Sequence, residues 1–413
     1  MPVITIFSGT FCNEQSAVAR LLSETGYRLV TDKDIIARAS DLSGMTEDRF
    51  GRAFSAKTSV FNKFTHEKER SIAVLKLALA QIVSDKDLLI VGFVSQLIPK
   101  EIEHVLRICL IADIGFRIAL AAKEKRTSEK EAVKLIHKDD EDRAAWVYSV
   151  IKKNDPWDAS LYDIVIPMDK MRLEKVVSLI GKNLNKDVLK PTSRSKKAME
   201  DFLLASKVEV ALTKEGHDVA VNANQGAVTL TVNKHVLMLS RLEAELETIA
   251  TRVAGVNQVT TKVGGEFYQT DIYRKYDFKA PSKLLLVDDE REFVQTLSER
   301  LLLRDMGSAV AYDGESALRL IKEDEPEVMI LDLKMPGIDG IEVLRRVKES
   351  NPDIEVIILT GHGSEPDREV CMKLGAFAYL QKPVDIDLLS ETLKKANDKI
   401  QQKMEKRESQ FEE

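Results

Sequence analysis

The feature that most constrains the fold is a set of short, unbroken apolar runs that each stop at an oxygen-bearing side chain. Leu284-Leu285-Leu286-Val287 stops at Asp288-Asp289, Val328-Met329-Ile330-Leu331 at Asp332, and Val356-Ile357-Ile358-Leu359 at Thr360. Ala378-Tyr379-Leu380 comes shortly before Lys382-Pro383. Runs of this kind predict strands buried on both faces, as in a parallel sheet covered by helices. The intervals carry helical patterning, as βαβ units require. Parallel sheets collect their chemistry beyond the carboxyl ends of their strands. Asp288, Asp289, Asp332, Thr360 and Lys382 are therefore expected at one edge.

Three carboxylates at strand ends suit Mg²⁺, a hard ion that takes oxygen ligands. Without a cation, carboxylates this close repel one another. Lys382 can reach an anion as a point charge, and Pro383 restricts its loop. Met335-Pro336-Gly337-Ile338-Asp339-Gly340 follows the second run, with Gly340 expected to permit a special backbone turn. In Gly361-His362-Gly363 the glycines give the loop freedom, and His362 reads as a solvated loop residue. Residues 283–400 resemble the response-regulator receiver family in the order and spacing of all these residues. The resemblance implies a flavodoxin-like (βα)5 fold. It implies phosphorylation of Asp332 by a sensor histidine kinase or phosphotransfer protein, with Lys382 and Thr360 contacting the phosphoryl group. It also implies a metal set of Asp288, Asp289 and Asp332. Thr360 and Tyr379 become the switch pair that relays phosphorylation to the surface of the fourth helix, fifth strand and fifth helix.

With 413 residues the chain has room for three domains. A formal charge of -6 and a pI near 5.8 give no global reason to expect nucleic-acid binding. Cys12, Cys109 and Cys371 are far apart, which suits a reducing compartment better than a disulfide framework. The opening Met-Pro-Val-Ile-Thr-Ile-Phe is not a signal peptide, and no apolar run reaches membrane-spanning length. A cytoplasmic protein is expected.

At the amino terminus, Val3-Ile4-Thr5-Ile6-Phe7 reads as a strand and Gln15 to Glu24 as a helix, with Gly9 opening the loop between them. That is the layout of a phosphate-binding loop. The usual pattern places a second glycine and a lysine before Ser or Thr. Here Glu14 and Gln15 precede Ser16, so one position is anionic and the next cannot neutralise a phosphate. Further strands are expected at Leu88–Gly92, Val105–Ile111 and Tyr162–Pro167, with charged helix from Ser128 to Arg143. Over residues 1–187 this order resembles the cytidylate-kinase-like P-loop family. The resemblance implies ATP or another nucleotide at Gly9, Thr10, Asn13, Ser16 and Arg143. It implies acceptor binding near Asp32 to Ile36, and lid arginines among Arg117, Arg126 and Arg143. Phosphoryl transfer needs positioned positive charge, so Glu14 and Gln15 argue for a retained fold without conventional kinase turnover.

Residues 188–197 read as a polar, basic linker. Residues 198–270 then give helix, hairpin, helix and strand, a small α+β unit that resembles the BON family in its Gly-Val-x-x-Val run, Gly255 to Val259. That resemblance implies a docking or spacer module of a kind that binds phospholipid or protein surfaces; as part of a scaffold it would bind protein or an anionic surface. His217 and His235 read as surface or turn residues. Residues 271–282, overlapping the aromatic and charged stretch from Tyr268 to Lys279, form a second linker, and residues 401–413 a charged tail. No DNA-binding helix-turn-helix is expected. The whole reads as a multidomain α/β response regulator with an unknown downstream protein; a homodimer is left open. Two alternatives stand beside it: a receiver-regulated nucleotide or small-molecule kinase, and a phosphorylation-controlled scaffold.

Overall fold

The computed structural model describes residues 2–57, 59–84, 87–234, 236, 238–265, 283–302, 304, 306–361 and 363–411. Two compact units emerge, Met1–Thr58 with Glu67–Arg274, and Ser59–His66 with Lys275–Glu413. His235, His362 and the Tyr268–Lys279 stretch lie outside the described residues.

The first unit opens with β1 (Val3–Ser8), α1 (Glu14–Thr25), β2 (Arg28–Thr31), α2 (Asp32–Ser43) and α3 (Glu47–Ala53). The short α4 (Asn62–Thr65) belongs to the second unit. Next come α5 (Glu67–Val83), β3 (Leu88–Val91), β4 (Val105–Ile111), α6 (Ile114–Lys125), α7 (Glu129–Ile151), β5 (Ile164–Pro167) and α8 (Leu173–Leu184). The strands form a parallel sheet in the order β2-β3-β1-β4-β5. β1 is central and buried throughout, as its β-branched run requires. Its side chains alternate between two cores: Val3 and Phe7 join Trp146, Phe50 and Leu79, whereas Ile4 and Ile6 join Leu21 and Ile180. Trp146 sits edge-on to Phe54 at 4.7 Å and donates its indole N–H to the Phe93 carbonyl at 2.8 Å. Its polar atom is thereby satisfied in a buried site.

The middle region consists of α9 (Ser193–Lys214), β6 (Ala220–Asn224), β7 (Ala227–Val232), α10 (Leu239–Thr251) and β8 (Gln258–Val263). β6 and β7 form an antiparallel hairpin, and β8 pairs parallel to β7. Gln225 and Gly226 both take positive φ, 50° and 88°, as a tight two-residue turn demands. Two expectations need correcting. Ser193 to Lys197 are the first turn of α9 rather than a solvated hinge, because Thr192 caps the helix and accepts the Ser195 N–H at 3.0 Å. The Ser195 hydroxyl is fully buried, 2.6 Å from His104 Nδ1. His217 is likewise buried, 3.5 Å from Glu245, and is not a surface residue.

In the second unit the order is β9 (Leu284–Val287), α11 (Arg291–Leu302), β10 (Ser308–Ala311), α12 (Gly314–Glu323), β11 (Val328–Leu331), α13 (Gly340–Ser350), β12 (Glu355–Thr360), α14 (Glu365–Lys373), β13 (Ala378–Gln381) and α15 (Ile386–Phe411). All five strands are parallel, ordered β10-β9-β11-β12-β13. This is the doubly wound order 2-1-3-4-5, whose carboxyl edge holds ligands. Residues 401–411 continue α15, and Lys403 on it reaches the buried Glu355 at 3.1 Å. Among the described residues no helix is long and apolar enough to cross a membrane.

Candidate functional site

The carboxyl edge of the β10-β9-β11-β12-β13 sheet gathers the predicted groups. β9 delivers Asp288 and Asp289, and β11 delivers Asp332; ligand oxygens of the three lie within 4.8 Å of one another. Asp288 and Asp332 are buried and Asp289 is exposed, so the cluster opens to solvent on one side. Lys382 follows β13, and its ammonium lies 2.7 Å from Asp288, 3.0 Å from Glu290 and 3.3 Å from Asp332. Burial alone would lower the Lys382 pKa, but the Asp288, Glu290 and Asp332 carboxylates outweigh it and hold it above its ordinary value. Burial raises Asp288 above the usual carboxylate range, with Asp332 adding to the effect and Lys382 opposing it. Asp332 Oδ1 accepts the Leu333 N–H at 2.6 Å, and its Oδ2 faces Lys382. A clustered, partly buried trio of carboxylates with one open side fits a divalent cation.

Thr360 is completely buried at the end of β12. In the β12–β13 register Ile358 pairs with Tyr379 and Thr360 with Gln381, so Thr360 and Tyr379 share one face. Both reach Gly363: a Cβ there would collide with the Tyr379 hydroxyl and lie 2.9 Å from Thr360 Cγ2. The Tyr379 hydroxyl is buried and has no hydrogen-bond partner among the described residues. Gly363→Ala is therefore expected to force the ring from this position and to destabilise the unit by about 1–3 kcal/mol. Urea unfolding gives the second quantity, and ring NMR shifts of Tyr379 report the first.

Two neighbours were not singled out in the sequence. Glu290 bonds Lys382, and the Phe293 ring lies 4.3 Å from the same ammonium. Their only sequence signal is position, in the turn and first helical residues after β9. Gly340 departs from expectation in its reason. Its φ is not positive; the positive φ belongs to Gly337, at 85°. Gly340 is needed for close approach, because a Cβ there would meet the Asp332 carbonyl oxygen and lie 2.7 Å from Leu333 Cα.

In the first unit a cavity of about 320 Å³ lies beyond β1, lined by Gly9, Thr10, Asn13, Ser16 and Arg143 together with Glu14. The loop and α7, which carries Arg143, thus line one cavity with all five residues expected at a phosphate. The arginines near it differ in what they hold. Arg143 donates to the Ser8 carbonyl at 2.6 Å and the Asp139 carbonyl at 2.9 Å. Arg117 is buried in a two-point pair with Asp140, 2.8 and 2.7 Å, and donates to the Thr10 carbonyl. Glu14 accepts from the Ser8 hydroxyl. Arg126 is the exposed, left-handed cap of α6. A polyphosphate in this cavity would meet the Glu14 carboxylate, while Arg143 already spends its Nε and one Nη on backbone carbonyls.

Asp32 lines an adjoining cavity of about 280 Å³. It accepts the Phe93 and Val94 N–H groups at 3.0 and 2.9 Å. Burial nevertheless raises its carboxyl to about 6. A folded-state pKa above the unfolded one means that the native form holds the extra proton. Asp32 is thus expected to favour folding at low pH and to lose that contribution as pH rises from about 4 to about 6. The loss is less than about 3 kcal/mol. Urea midpoints of wild type and Asp32→Ala across this window test it, since the slope should shrink in the variant.

With the geometry in place, comparison with known proteins assigns both regions. Residues 284–394 match the response regulator receiver domain family. They are a receiver domain, the fold of an aspartate-phosphorylation switch. Residues 3–170 match the cytidylate kinase-like family and have its P-loop type of fold. Over the receiver, the chain is 34% identical across 113 residues to the transcriptional regulatory protein GlrR of Escherichia coli, covering 27% of this chain and 26% of that one. It is 42% identical across 105 residues to CpxR of the same species, covering 25% and 43%. The chain therefore spans less than half the length of these curated relatives. A crystal structure of a receiver domain protein from Clostridium thermocellum is 36% identical, with a TM-score of 0.28, covering 28% of this chain and 94% of that one.

Proposed function

We propose that the chain is a response regulator in which Asp332 accepts a phosphoryl group from a histidine kinase or phosphotransfer protein. The observation that carries this is Asp332 itself: backbone N–H groups engage Oδ1, while Oδ2 faces the Lys382 ammonium. Oδ2 attacks phosphorus in line, the P–N bond to the donor imidazole breaks, and the imidazole keeps the electron pair and takes up a proton. Asp288, Asp289 and Asp332 would hold Mg²⁺, which supplies charge neutralisation at the phosphoryl oxygens. Lys382 exchanges a carboxylate partner for a phosphoryl oxygen, and Thr360 donates its hydroxyl to another. Thr360 and Tyr379 act as the switch pair, since both converge on Gly363.

In this reading the cytidylate-kinase-like region and the BON-like middle region are effector surfaces, not a phosphotransferase. Support comes from the Arg117–Asp140 pair and from Glu14 at the loop. Phosphodonor with Mg²⁺ should place one acid-labile phosphoryl group on the peptide that contains Asp332; label elsewhere, or none, rejects the assignment. ATP and nucleoside monophosphates should neither bind appreciably by calorimetry nor be turned over. Turnover would establish the receiver-regulated kinase instead.

A further inference from the structure

The segment Ser59–His66 lies between α3 and α5 in sequence, yet it is part of the second compact unit together with the receiver. Phe61 is completely buried and shares a core cluster with Leu285, Ala317 and Ile321. The Phe64 ring lies directly over Gly307, so close that a Cβ on that glycine would fall within it. The Ser59 hydroxyl donates to Asp324, whose other oxygen holds the Lys283 ammonium at 2.8 Å. Both members of that ion pair are nearly buried, and Lys283 Nζ stands 6.0 Å from the Phe61 ring centre. Lys283 and Gly307 immediately precede β9 and β10 and Asp324 follows α12, so these groups mark the amino edge of the sheet. Asp332 lies at the opposite edge.

We propose that Ser59–His66 is a docking segment for the receiver. It is an aromatic plug with a hydroxyl latch that fills a socket at the amino edge of the sheet, on the far side from the phosphoacceptor. The chemistry is complementary at each point. A buried ion pair needs further hydrogen-bond partners, and Ser59 provides one. A glycine leaves room for a ring, and Phe64 fills it. Phe61 removes a full aromatic surface from water. The segment is also internally ordered: Asn62 N–H donates to the Ser59 carbonyl, Thr65 N–H to the Phe61 carbonyl and His66 N–H to the Asn62 carbonyl. In sequence the segment ends at His66, one residue before α5 begins at Glu67.

Amide hydrogen exchange on the full chain tests this. In wild type the amides of residues 62–66 should be protected. In Phe61→Ala and in Gly307→Ala, made on opposite sides of the contact, exchange across residues 59–66 should accelerate about tenfold or more. Protection of β11 and β12 should persist. Where Gly307→Ala also loses β11 protection, Phe64→Ala removes the same contact without altering the receiver and supplies the deciding measurement. Random-coil exchange of residues 59–66 in wild type overturns the proposal. So does wild-type protection in Phe61→Ala or in the deciding receiver-contact variant.

Discussion

Asp332→Asn is expected to lower the Mg²⁺-dependent phosphoryl label by at least about 10²-fold while leaving the receiver folded. The amide oxygen can still accept the Leu333 N–H that now holds Oδ1 at 2.6 Å, so the local backbone keeps its support. What disappears is the anionic Oδ2 opposite Lys382. The substitution also removes one charge from a cluster whose ligand atoms lie within 4.8 Å, which relieves repulsion. An unchanged or slightly higher melting temperature should therefore accompany the loss of label. Intact-mass spectrometry after incubation with a small-molecule phosphodonor measures the first effect, and calorimetry the second. Full labelling of a folded Asp332→Asn protein would move the acceptor to another residue. Loss of both label and melting transition would mean that the carboxylate is needed for folding.

The receiver edge was legible because its strands are short, apolar on both faces and stopped by oxygen-bearing side chains. β10 was not, since Ser308-Ala309-Val310-Ala311 is an edge strand of small residues with no apolar run to mark it. The helical start of α9 was hidden by composition. Lys196, Lys197 and Arg194 read as linker, although Thr192 and Ser195 form a capping box three residues apart. The transfer of Ser59–His66 into the second unit could not be read at all. Two phenylalanines in a charged stretch suit any core, and the Gly307 beneath Phe64 is remote in sequence. In the first unit the expected residues line one cavity, but their bonding state was not legible. Whether an arginine waits for a ligand or is already paired depends on Asp140 and on backbone carbonyls, which spacing does not reveal.

Gly340→Ala and Gly337→Ala should separate two reasons for a glycine within one loop. Gly337 has φ 85° and open space around a would-be Cβ, so alanine there meets only backbone strain, about 1–2 kcal/mol. Gly340 has an ordinary φ but no room. Its N–H donates to the Leu333 carbonyl at 2.9 Å, and a Cβ would press on the Asp332 carbonyl, on Leu333 Cα at 2.7 Å and on Asp332 C at 2.9 Å. These are backbone atoms and cannot rotate away as a side chain would. Asp339 meanwhile fixes the start of α13 by accepting the Ile341 and Glu342 N–H groups at 2.7 and 3.2 Å, so the helix cannot easily retreat. Gly340→Ala should thus destabilise the receiver by about 3 kcal/mol or more. It should also depress phosphoryl labelling in whatever fraction remains folded, because the strain falls on the backbone that carries Asp332. Urea unfolding of both variants, with labelling at matched folded fraction, decides between the two causes. Equal destabilisation, or a larger effect at Gly337, would show that α13 yields and that close approach does not explain Gly340.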